Sequence, residues 1–72
     1  MSNEATEPRA VGIEYRNHRG EVDWRRIVPE RIWYGSTQWH TTNQWMLRAF
    51  DLDKNEVRDF ALCDITEWSN TP

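Results

Sequence analysis

The stretch Val22-Asp23-Trp24-Arg25-Arg26-Ile27-Val28-Pro29-Glu30-Arg31-Ile32-Trp33-Tyr34-Gly35 decides how this chain folds. Apolar residues alternate with polar ones along it, which is the period of a strand. Val22 and Trp24 fall on one parity and Ile27 on the other, a change that predicts a bulge or sharp bend near Arg25-Arg26 inside one long strand. Pro29 cannot donate to a ladder and marks a strand start, an edge or a corner. Ile32 and Tyr34 then lead into a loop that begins at Gly35-Ser36-Thr37.

On the N-terminal side, Val11, Ile13 and Tyr15 alternate with Gly12, Glu14 and Arg16, a half-buried strand. Asn17-His18-Arg19-Gly20 follows as a turn, with glycine available for a positive φ. On the other side, Gly35 to Gln44 is polar apart from Trp39 and reads as an irregular segment. Trp45, Leu47 and Ala49 then share one strand face, and Met46, Arg48 and Phe50 the other. Asp51-Leu52-Asp53-Lys54-Asn55 is turn chemistry, with Asn55 able to take a left-handed conformation. A last strand runs from about Glu56 to Leu62, with Arg58, Phe60 and Leu62 on one parity. Asp64 to Trp68 reads as a short helical turn capped by Asp64. The expected fold is all-β, a small Sm-like SH3 barrel of four to five antiparallel strands that bends to hide its edges. Its expected core is Ile13, Tyr15, Trp24, Trp45, Leu47 and Phe60. Residues 1–9 are expected to be a disordered tail, 10–68 a single domain and 69–72 a disordered end.

The chain has 72 residues, room for one small domain and far too few for a (β/α)₈ enzyme barrel. Its net charge of −3 argues against a general nucleic-acid binder, but the charge is unevenly placed. All nine cations and only eight of the twelve acids lie between Arg9 and Asp59, so this middle stretch is about +1. Eight of those cations are arginine, the cation suited to bidentate anion recognition and to stacking on rings. The single cysteine, Cys63, excludes an internal disulfide, and His18 and His40 lack partners at ligand spacing, so no metal or cofactor is expected. No apolar run approaches the ~18 residues of a membrane span, and the acidic, polar start is unlike a signal peptide. These features predict a cytoplasmic protein with no membrane segment. No nucleophile pairs with a base and no Gly-rich phosphate loop occurs, so the chain is not expected to be an enzyme.

Recognition chemistry is confined to aromatic rings set beside arginines: Trp24-Arg25-Arg26, Arg31-Ile32-Trp33-Tyr34 and Trp45-Met46-Leu47-Arg48. Rings stack on bases while arginines meet phosphates, the way small β-barrels hold single strands. Trp33 and Trp39 fit the core pattern less well and are expected to form an exposed aromatic patch. The competing expectation is that Glu30, Asp51 and Asp59 neutralise the arginines internally, as cross-strand ion pairs do. Few lysines guard the strand edges, so weak self-association or pairing with a partner strand is also expected.

Ile13-x-Tyr15, Arg25-x-Ile27-x-Pro29, Trp45-Met46-Leu47-Arg48-Ala49-Phe50-Asp51 and Arg58-x-Phe60-x-Leu62 leading to Ile65, in this order over residues 11–66, resemble the WYL-domain family. The resemblance implies an Sm-like SH3 barrel of the kind found in bacterial transcription regulators. There it senses a ligand, with single-stranded nucleic acid or a nucleotide as the favoured candidate. By position it implies ligand residues at Arg25, Trp45 and Arg58, and the candidate site is completed by Met46, at the place of the motif tyrosine, and Arg48, a cation on the same strand face. Met46 replaces the motif tyrosine, and Ala61 and Asp64 stand where the family often has arginines. These departures, with no helix-turn-helix in the sequence, imply a divergent stand-alone member. The expected function is a ligand-sensing module for a nucleic-acid or nucleotide anion. The alternative is a protein-interaction adaptor of the same fold with the anion site lost.

Overall fold

Period-two alternation gives each segment one face to bury, and the chain buries those faces against each other in a single sheet. The computed structural model describes residues 9–71. Its elements are β1 (Val11–Arg16), β2 (Val22–Gly35), β3 (Gln44–Asp51), β4 (Glu56–Ala61), a 3₁₀ turn (Leu62–Asp64) and β5 (Ile65–Ser69). The strands form one antiparallel sheet in the order β4-β3-β2-β1-β5. The domain is therefore all-β. β4 and β5 are the two edges, joined through the 3₁₀ turn, and among the described residues no ladder closes the sheet between them. Residues 1–8 of the tail expected at 1–9, and the final Pro72, lie outside the described residues.

The turns follow the local chemistry. Gly20 takes a φ of 81°, and the Asn17 side chain accepts the backbone N–H groups of Arg19 and Glu21 at 2.9 and 3.0 Å. Asn55 sits at a φ of 58°, and its N–H donates to the Asp51 carbonyl at 2.7 Å.

β2 serves both halves of the sheet. Val22 to Ile27 pair with β1, and Ile27 to Gly35 pair with β3. Its irregularity lies between Pro29 and Arg31, not at Arg25-Arg26, where the ladder to β1 is regular. Pro29 has no N–H to give, and the register slips at the next residue. The parity change after Trp24 has a simpler cause. Val22 stands opposite Arg16 and Trp24 opposite Glu14, on the solvent face.

The core comprises Val11, Ile13, Tyr15, Ile27, Leu47, Ala49 and Phe60, with Leu62 and Ile65 packed at its margin. Trp24 and Trp45, expected inside, are 51% and 55% exposed. Trp45 does share a face with Leu47, but the β3–β4 ladder ends at the Ala61–Met46 pair, one residue short of Trp45. The C-terminal segment is also a correction. β1 offers a row of backbone groups, and residues 65–69 satisfy it as a strand instead of coiling. Asp64 caps no helix and instead accepts from Arg16 at 3.1 Å. Ser69 closes β5, and its hydroxyl exchanges hydrogen bonds with the Thr71 backbone.

Tyr15 ties the sheet across its width. Its ring meets Phe60 edge-on at 4.9 Å, and its hydroxyl oxygen accepts the Ala61 N–H at 3.1 Å. Burial pushes the phenol above its usual value. Removing the hydroxyl (Tyr15→Phe) leaves a buried N–H without an acceptor and is expected to cost about 1–3 kcal/mol at neutral pH. Because the folded phenol titrates higher than the unfolded one, Tyr15 supports the fold below about pH 10 and loses that contribution as pH rises through the raised value. Urea midpoints of the two proteins should therefore converge above about pH 10.

Candidate functional site

The ladders decide which arginines meet. Arg48 stands opposite Asp59 on one face of the β3–β4 pair, and Arg58 stands opposite Ala49 on the other. Arg48 lies 3.5 Å from Glu30 and 4.0 Å from Asp59. Arg58 reaches the carboxylate of Asp51 at 3.3 Å, and its guanidinium lies 5.4 Å from the Phe60 ring centre. The three acids anticipated as internal neutralisers are thus the partners of these two arginines. Arg48 and Arg58 do not converge on one mouth.

Asp51 is the fully buried charged residue among those described. One of its oxygens accepts the N–H groups of Asp53 and Lys54 at 3.0 and 3.1 Å, and the other accepts from Arg58. Next to it, Arg26 donates Nε and Nη2 to Asp53 at 3.1 and 2.9 Å. Those hydrogen bonds hold the Asp53 carboxyl below its ordinary value.

Arg25 is placed differently. It stands opposite Ile13 on β1, half-buried, and its Nε is buried with no hydrogen-bond partner among the described residues. It also borders an open cleft of about 290 Å³ lined by Gly12, Trp24, Arg25, Arg26, Ser69 and Thr71.

Met46 offers no ligand surface, because it is fully buried. Its cross-strand neighbour Trp33 explains why. The Trp33 indole donates Nε1 to Asp59 at 2.9 Å, while its far edge lies 2.6 Å from where a side chain on Gly35 would begin. The ring therefore lies across β3 and covers that face. Trp33 is half-buried and is no open platform.

Trp39 is 81% exposed. It is displayed by an ordered turn: the Thr37 hydroxyl accepts the N–H groups of Trp39 and His40 at 3.1 and 2.9 Å, and the Thr37 N–H donates to the His40 carbonyl at 2.8 Å. Below it, Tyr34 and Trp45 pair across β2 and β3 with ring centres 5.2 Å apart. Ile32 lies on the same face, opposite Leu47. Ile32 and Tyr34 are each 57% exposed. The sequence places both in the ring-and-arginine stretch Arg31-Ile32-Trp33-Tyr34, but does not name them as an exposed apolar row. The available signal was length, since β2 and β3 run on past the point where a short β4 can cover them.

Among the described residues no group of three or more His, Cys, Asp or Glu side chains is placed to hold a metal ion, and no helix is long and apolar enough to cross a membrane. Cys63 is free and exposed. No family model, curated protein or solved structure matches this chain.

Proposed function

We propose that this chain is a non-enzymatic, cytoplasmic protein-interaction module on an Sm-like SH3 barrel, working through the aromatic end of the β2–β3 ribbon. The observation that carries the reading is the row Ile32, Tyr34 and Trp45, each more than half exposed on one face. Contiguous apolar surface of this kind marks interaction sites, and aromatic anchors carry much of the energy in such contacts. Support for the barrel comes from the strand order, from one long strand shared by both halves and from the 3₁₀ link between the edges. The order also fits the resemblance to WYL domains. Against an anion site at Arg48 and Arg58 stands their internal pairing with Glu30, Asp59 and Asp51.

The second reading, a sensor of a nucleotide or single-stranded nucleic acid, is favoured by the buried Nε of Arg25, without a partner among the described residues and beside its cleft. Tryptophan fluorescence during titration with short single-stranded oligonucleotides and with nucleotides separates the two. The interaction module is expected to show no saturable change at low salt. A saturable change that weakens with salt, at a slope of about −0.7 per phosphate contact, and that disappears in Arg25→Ala would establish the sensor instead.

A further inference from the structure

The β2–β3 ribbon is an arm. Beyond the Met46–Ala61 pair, β4 gives way to the 3₁₀ turn, and the core-side face of β2 and β3 continues past the end of the β3–β4 ladder. Ile32, Tyr34 and Trp45 lie on that face, each more than half exposed, and Trp39, in the loop that joins the two strands, is 81% exposed. From Ile32 to Leu47 the sequence contains no Asp, Glu, Lys or Arg, although 29% of the chain is charged. At the base of the arm, the charged residues Arg31, Arg48 and Asp59 share the opposite face.

We propose that this arm is a self-association surface and that its occupant is the arm of a second copy of the chain. The inference rests on reading the arm as the interaction surface, and it names the partner. Charge selects the mode. Two copies each carrying −3 repel, and a neutral face is where they can approach with least opposition. A two-fold contact brings the same patch to itself, which an apolar row with no fixed charge tolerates.

Area sets the strength. An aromatic side chain has about 150–250 Å² to bury, so the exposed fractions of Tyr34, Trp39 and Trp45 leave roughly 300–500 Å² of ring surface on one arm. Two arms laid together remove about twice that, with Ile32 in addition, close to the lower bound of about 1,000 Å² for a specific contact. The dimer is therefore expected to be weak and concentration-dependent. The ordered Thr37 turn and the edge-on Tyr34–Trp45 pair reduce the ordering needed on association.

The test is sedimentation equilibrium of the full chain up to about 1 mM, at low and at high salt. The expected result is a monomer–dimer equilibrium that tightens as salt screens the repulsion between the two chains. Tyr34→Glu and Trp39→Ser are each expected to weaken it by at least about tenfold, the first by placing two carboxylates in the contact. Val57→Glu, on the exposed β4 edge, is expected to leave it unchanged. Circular dichroism on each variant confirms the fold, and Trp39→Ser, at a loop tip, does not depend on the strands. A strict monomer throughout overturns the proposal. So does a dimer that Val57→Glu breaks while the arm variants leave it intact, since that contact runs along the strand edge. Failure of the interaction reading shows elsewhere, as saturable, Arg25-dependent oligonucleotide binding.

Discussion

Phe60→Ala is expected to lose about 3–5 kcal/mol of folding stability, the usual result of emptying a large aromatic site in a packed core. Phe60 has no exposed surface, stands opposite Leu47, and packs on the Tyr15 ring and beneath the Arg58 guanidinium. A domain of this length has a total stability of about 4–11 kcal/mol, so the variant falls near the unfolding threshold at ambient temperature. Trp45→Ala supplies the contrast. Its ring is already more than half in solvent, and the alanine variant forfeits a smaller buried area together with the edge-on contact with Tyr34, the latter worth about 0.5–1.5 kcal/mol. Urea titrations followed by far-ultraviolet circular dichroism measure both. A Phe60→Ala protein as stable as wild type, or a Trp45→Ala protein as damaged as Phe60→Ala, places the core elsewhere.

Asp51→Ala is expected to remove about 3 kcal/mol, for a different reason. No apolar group is lost. Two backbone N–H groups of the β3–β4 turn lose their acceptor, and Arg58 loses its carboxylate. The Leu52 N–H, which donates to the Arg26 carbonyl at 2.9 Å, joins this turn to β2, so loosening the turn also weakens its anchorage. Asp51→Asn keeps an oxygen for the two amides while discarding the charge, and it is expected to recover about half of the loss. A double-mutant cycle with Arg58→Gln isolates the ionic part. If Asn behaves like Ala, the turn depends on the charge and not on the acceptor geometry.

The strand pattern was legible because alternation and turn chemistry are local. Val11 to Tyr15, the Gly20 and Asn55 turns, the loop before Gln44 and the β4 segment all follow from neighbours in sequence. What alternation cannot show is how far the next strand reaches. Trp45 carries the core parity and stands outside, because β4 stops one pair short of it. Met46 carries the opposite parity and is buried, because Trp33 folds over it from the neighbouring strand to reach Asp59 on β4. The same blindness affected the candidate site. Arg48 and Arg58 looked like converging cations until the register set them back to back, each beside its own acid. The bend in β2 was also read too early, since a parity switch marks either a bulge or a side chain facing water, and at Trp24 it marks the latter.

The strand order sets a sequence of events in time. Three of the four ladders join neighbours along the chain, whereas β1 and β5 pair across nearly its whole length, Gly12 with Ser69. Hairpins close early and remote pairings close late, since a longer loop must be drawn in before it gains anything. The β5 strand is thus the last piece to dock and the first to peel away. Trp68, half in solvent on that strand opposite Ile13, is a natural reporter of the peeling, and local opening at this seam exposes the Ile13 side of the core before the rest of the sheet lets go.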